Sequence, residues 1–147
     1  MYDVSAREVR ELFADYLDGA ALPLVLVLSR APLAAAARQA LESSARALGY
    51  GEDSCAFAVL EADGAALDAN ALFLLVEGLD PLCLVAADED AARLLEAAYR
   101  QEVPTGAASR VFGRSAVAFR SFEAMLGTSD EKQRAWALLK KLSKRGE

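Results

Sequence analysis

The sequence has no histidine in its 147 residues. That absence removes Ser-His and Cys-His nucleophilic sites, imidazole acid–base catalysis and histidine metal ligation together. Cysteine is scarce as well. Cys55 and Cys83 each lie in an apolar run, which predicts buried free thiols in a reducing compartment. With no histidine beside them they make no zinc or iron–sulfur ligand set, so neither a metal nor another cofactor is expected. No apolar run approaches the ~20 residues of a membrane span. The opening MYDVSAREVRELF is charged and periodic, unlike a signal peptide. The expectation is a cytoplasmic protein with no membrane partner.

Basic charge is also short. The formal net charge is −6, which argues against nucleic acid as a partner, because a DNA-gripping surface is usually basic. The positive charge gathers near the end, in Lys132, Arg134, Lys140, Lys141, Lys144 and Arg145. A solvated helix face accounts for it; a nucleic-acid strip is the sharper alternative.

What is present is apolar and alternating. The hydrophobic fraction is 54%, enough for a compact core in one domain spanning 1–147. Residues 4 to 18 place Val9, Leu12, Phe13, Tyr16 and Leu17 at helical spacing, with Ser5 and Glu8 as a capping box. This gives an N-terminal helical segment, 1–22, ahead of an α/β core, 23–142. Short apolar strands are predicted at 23–29, 54–60, 81–87 and 114–119. Helices lie between and after them. Pro32 suits the first turn of one and Gly49 its stop; Asp68 is a candidate N-cap, and the helix at 88–101 opens with carboxylates. EADG at 61–64 and EVPTGAAS at 102–109 are read as loops. Alternation of this kind indicates a parallel sheet covered on both faces, with any ligand beyond the carboxyl ends of the strands. Those ends are Ser29-Arg30, Leu60-Glu61, Asp88-Glu89 and Arg120-Ser121.

Familiar binding motifs are missing. No G-x-G-x-x-G follows the first strand and no G-x-x-x-x-G-K-[ST] occurs. Asp88 and Asp90 do not form a receiver-domain pocket, which needs its acids where this chain has Ser29 and Arg30.

Two segments do carry a resemblance. SFEAMLGTSDEKQRAWALLKKL, from Ser121, holds Met125-Leu126 and then Lys132, Trp136 and Leu139 in a K-x-x-x-W-x-x-L frame. LDPLCLVAADEDAARLL sets Pro81 before an apolar strand and Ala91 and Leu95 in the helix after it. Both resemble the uracil-DNA glycosylase superfamily, closest to its iron–sulfur-containing thermostable branch. More faintly, Ala31-Pro32 resembles the G-E-A-P-G turn of that family.

The resemblance implies a three-layer α/β/α fold around a four-stranded parallel sheet in the order 2-1-3-4. It also marks the former active-site positions as Ser29, Arg30, Asp88, Arg120 and Ser121. Ser121 stands at the family's catalytic histidine, Phe122 at its proline and Arg30 at its water-handling group. The uracil-reading asparagine belongs near Val59 or Leu60, yet the only asparagine is Asn70. Base excision needs a fixed donor for the departing base and polar groups that read it. The expectation is therefore a non-catalytic domain, not an enzyme, with no catalytic residue and a protein partner or a second copy as its ligand. The alternative is a small-ligand, nucleotide or residual DNA-binding module in the former pocket. Asp88 or Glu89 is expected to pair with the guanidinium of Arg30 or Arg120, and Phe122 to fill the place of a uracil.

Overall fold

The computed structural model describes residues 6–142. The core is a sheet whose central strands alternate strictly between two apolar faces. In β2 (Val25–Ser29), Leu26 and Leu28 point into one core and Val25 and Val27 into the other. A strand buried on both faces has no solvent side for polar residues, which is why VLVLS is apolar until its last residue, Ser29. β3 (Cys55–Val59), β6 (Cys83–Ala86) and β8 (Arg114–Ala118) follow the same rule through most of their length. The first core lies against α1 (Ala6–Leu12), α3 (Ala69–Leu79) and α4 (Glu89–Tyr99); the second lies against α2 (Ala35–Ala47) and α5 (Ser129–Leu139).

With β1 (Leu17–Gly19) and β7 (Ala107–Val111) at its edges, the sheet has six strands in the order β1-β3-β2-β6-β8-β7. β3, β2, β6 and β8 pair in parallel, while β1 and β7 add antiparallel edges. A purely parallel sheet of four strands is therefore too small a description.

The two extra strands have local causes. The N-terminal helix ends at Leu12 rather than running to residue 18, because Leu17, Asp18 and Gly19 pair with Ala58, Phe57 and Ala56. Gly19 has φ +98°, and a Cβ there would sit 2.6 Å from the Cys55 carbonyl oxygen, so this approach requires glycine. Leu12, placed by its spacing on the buried stripe, is 64% exposed. Ser5, the proposed cap, lies outside the described residues.

At the other edge, Phe112 and Gly113 both have positive φ and form a two-residue turn that folds β7 back on β8. The expected loop at 102–109 thus ends in a strand. The acidic loop at 61–64 is also more ordered than expected. β4 (Glu61–Ala62) and β5 (Ala65–Ala66) form a small hairpin turning on Asp63-Gly64.

Helix ends follow the side chains. Asp68, Asp88 and Thr128 accept the N–H three residues on from their helices α3, α4 and α5. Pro32 lies outside α2, whose start at Ala34 instead donates its N–H to Glu123 at 2.7 Å. Both cysteines are buried free thiols opposite Val25, one on each side of β2. Two strand spacings, about 9.6 Å, separate them, beyond the ~7 Å limit for a disulfide. Burial pushes the Cys55 thiol up to about 11, far from a reactive thiolate. Among the described residues, no helix is long and apolar enough to cross a membrane.

α1 docks on α3 at one tight point, where a Cβ on Gly78 would collide with the fully buried Val9 side chain. Glycine in a helix ordinarily costs about 1 kcal/mol against alanine. Here overpacking, about 1–3 kcal/mol, outweighs that gain. Gly78→Ala should lower the urea midpoint, and adding Val9→Ala should recover much of the loss. An increase in stability from Gly78→Ala alone would contradict the packing.

Candidate functional site

The chain runs from β2 to β3 on one side, then returns to β6 on the other side of β2. The crevice between the carboxyl ends of β2 and β6 is therefore the topological switch point, where open α/β sheets take their ligands. All five residues singled out above lie along this edge, and the structure gives each a partner or a place.

Asp88 sits where β6 passes into α4, in extended conformation at the N-cap. Its Oδ1 accepts the Ala91 N–H at 2.9 Å and its Oδ2 accepts the Arg30 N–H at 2.9 Å. One carboxylate thus caps a helix and bridges the crevice. The expected ion pair of Asp88 or Glu89 with the Arg30 or Arg120 side chain is not formed among the described residues; Asp88 meets backbone donors instead.

The Arg30 guanidinium turns to other acids. Its Nε donates to Glu61 at 3.0 Å and a terminal nitrogen to Asp90 at 3.4 Å. The Glu61 hydrogen bond and charge, with the Asp90 charge behind them, hold this guanidinium above the ordinary arginine range. These three groups, with Arg93 and the side chains of Leu60, Leu67 and Leu94, line an open cleft of about 320 Å³.

Ser29 is buried and its hydroxyl donates to the Ala31 carbonyl at 2.7 Å. Ser121 bridges to Asp88 through the backbone, and its hydroxyl accepts the Ala124 N–H at 3.2 Å. The Arg120 carbonyl accepts the Glu89 N–H at 3.1 Å. The Arg120 side chain is exposed and makes no ion pair among the described residues. Phe122 is 2% exposed and meets Phe119 edge-on at 5.1 Å, so its ring belongs to the core.

A smaller cleft of about 150 Å³ opens at the ends of β2 and β3, lined by Ser29, Leu33, Phe57 and Val59. Arg38 and Asp18 meet beside it at 2.7 Å, with the Arg38 guanidinium 4.3 Å from the Phe57 ring centroid. Asn70 is exposed on the first turn of α3. No amide side chain stands at Val59 or Leu60. Glu61 and Asp90, the real partners of Arg30, were not anticipated. The Asp63-Gly64 turn was the available signal, since a hairpin there orders Glu61 at the crevice rim.

The chain matches no family model and no curated protein.

Two predictions follow from this geometry. Asp68 caps α3 and nothing more, whereas Asp88 caps α4 and also binds Arg30. Asp68→Ala should cost about 1 kcal/mol and Asp88→Ala about 2–3 kcal/mol, the excess being the second charge-assisted bond. Equal losses in urea unfolding would show that the crevice bond carries no weight. The second prediction concerns Asp18, whose carboxyl is held below its usual range by the Arg38 hydrogen bond, then the Gly19 N–H and the Arg38 charge. A depressed folded-state value means this contribution is present above the unfolded carboxyl range and fades as pH falls through the folded value. An NMR titration of Asp18 should give a midpoint below that of a free aspartate, rising in Arg38→Ala. An unchanged midpoint in the variant would refute the pairing.

Proposed function

We propose that this chain is a catalytically silent domain of the uracil-DNA glycosylase type, whose role is to bind a protein partner or a second copy of itself. In this reading the four parallel strands β3, β2, β6 and β8 are the 2-1-3-4 core of that family, and β1 and β7 are additions to it. The observation that carries the proposal is that the polar groups along the crevice are committed to partners within the chain. Asp88 spends both oxygens on backbone donors, Arg30 is neutralised by two carboxylates, and the Ser29 and Ser121 hydroxyls serve their own turns. Excision chemistry needs preorganised donors aimed at a departing base, and these groups are aimed at one another.

The pairing weighs against the small-ligand or nucleotide reading at Arg30, whose guanidinium already faces Glu61 and Asp90, while Arg120, the second anion contact of that reading, stands exposed with no ion pair among the described residues. Support for a binding role comes from exposed apolar side chains outside the crevice. Leu12 and Leu22 are 64% and 75% exposed. Leu22 lines a shallow cleft of about 420 Å³ with Arg10 and Glu11 at its rim. An apolar centre with a mixed-charge rim is the usual composition of a protein interface.

Uracil release from a single-stranded oligonucleotide should equal the no-protein control. Ser121→His should not restore it, because no side chain reads the base. Release by the wild-type chain above the control would overturn the reading. In sedimentation, Leu12→Ser with Leu22→Ser should abolish any concentration-dependent association. Association unaffected by the pair would place the interface elsewhere.

A further inference from the structure

A further concavity lies between α2 and α5, on the face of the sheet that carries these two helices, with Phe122, the residue after Ser121, in its lining. Its floor is Phe122, Ala135 and Leu139, each at most 3% exposed. Ala40 and Trp136 form facing walls. The volume is about 330 Å³, at the lower end of the ~300–1,000 Å³ typical of small-molecule sites.

The polar groups here are few and of one sign. The Ser44 hydroxyl donates to its own helix, to Ala40 O at 2.7 Å. Lys132 is the one charged residue lining the groove, and among the described residues its ammonium has no carboxylate partner. The Lys140 ammonium lies 5.8 Å from the Trp136 ring centroid and adds positive potential at that wall. No arginine or acidic residue lines the groove.

We infer that the α2–α5 groove is a binding site for a small amphipathic monocarboxylate. Its hydrocarbon part lies on Phe122, Leu126 and Trp136, and its carboxylate meets Lys132. The apolar floor favours a chain or ring without polar edges, because few lining groups could pair with the edge of a nucleobase. A lone lysine suits one negative charge, whereas a phosphate-rich ligand calls for arginine forks or a backbone nest. A cationic amphiphile is repelled by Lys132 and Lys140. This inference does not rest on the proposed function, whose residues are those of the crevice and of the surface around Leu22.

Trp136 is the only tryptophan in the chain, so emission excited selectively at tryptophan reports on this wall. The full chain is titrated with decanoate below its micellar concentration, and with decanol and decyltrimethylammonium in parallel. Decanoate should give a saturable change in Trp136 emission, with decanol and the cation at least about tenfold weaker, the scale of one charge-assisted contact. Lys132→Glu, an exposed position, should weaken decanoate by a similar factor while leaving the unfolding midpoint nearly unchanged. Ala40→Leu should abolish binding by filling the groove. The inference is overturned by the absence of a saturable response, by equal responses to all three amphiphiles, or by a Lys132→Glu affinity equal to wild type. Sedimentation of the same samples covers one more outcome: a dimer dispersed by Ala40→Leu would make a second copy the occupant, and would also overturn it.

Discussion

The carboxylate of Asp88 joins two turns that lie 58 residues apart in the chain. β2 and β6 are neighbours in the sheet, but the loops leaving them diverge toward opposite faces, one to α2 and one to α4. A gap at that point is the normal consequence of the topology, and in many α/β proteins it becomes the binding site. Here the gap is spanned by one side chain that satisfies an α4 N–H with one oxygen and the Arg30 N–H with the other. The β8 exit is tied in by the Glu89–Arg120 main-chain bond and the Asp88–Ser121 bridge. What the fold leaves open, the residues close.

The charged groups are distributed to match. At the carboxyl edge, Arg30 rests against Glu61 and Asp90, in solvent, where such pairs are worth little each but still neutralise the guanidinium. At the opposite edge, Arg114 is 12% exposed and far more constrained. It donates to Pro81 O at 2.9 Å and to Glu77 and Asp80 at 2.6 Å each. Burial opposes its charge, yet Glu77 and Asp80 outweigh that cost and hold it above the ordinary arginine range. Tyr99 joins through a 2.7 Å bond to Glu77, and burial pushes its phenol well above the usual range, with the Glu77 bond adding to the shift. That cluster pins the start of β8 to the end of α3. It is a structural lock, and its charges are spent within the chain.

Much of this was legible in the sequence, for reasons that are local. β3, β6, β2 up to Ser29 and β8 after Ser115 are short apolar runs, the pattern that burial on both faces asks for. Asp68 and Asp88 precede helices at the spacing a cap requires, and Gly49 ends α2 with φ +93°. β1 and β7 were hidden because edge strands are made by their neighbours. Leu17–Gly19 has no strand pattern of its own and becomes one by pairing with β3. β7 was announced only by Gly113, and the residue before it is a phenylalanine where asparagine or aspartate is usual. The candidate positions converge on one edge, but their partners did not follow from spacing. Which oxygen meets which N–H depends on a turn geometry that sequence periodicity does not encode. The groove between α2 and α5 was equally hidden, since it arises from two helices that meet only in three dimensions.

The claim on which the account turns is that the switch-point crevice is closed by the Asp88–Arg30 contact. The Arg30 amide lies in an exposed turn, outside any helix or strand, so only that contact protects it from solvent exchange. Hydrogen exchange of this single amide, followed by NMR in the free protein, is the direct measurement. The account predicts exchange slowed by at least about tenfold relative to the unstructured rate, the equivalent of ~1.4 kcal/mol, with protection lost in Asp88→Ala. Exchange of the Arg30 amide at the unstructured rate in the wild-type chain would mean that the crevice is open, and would contradict it.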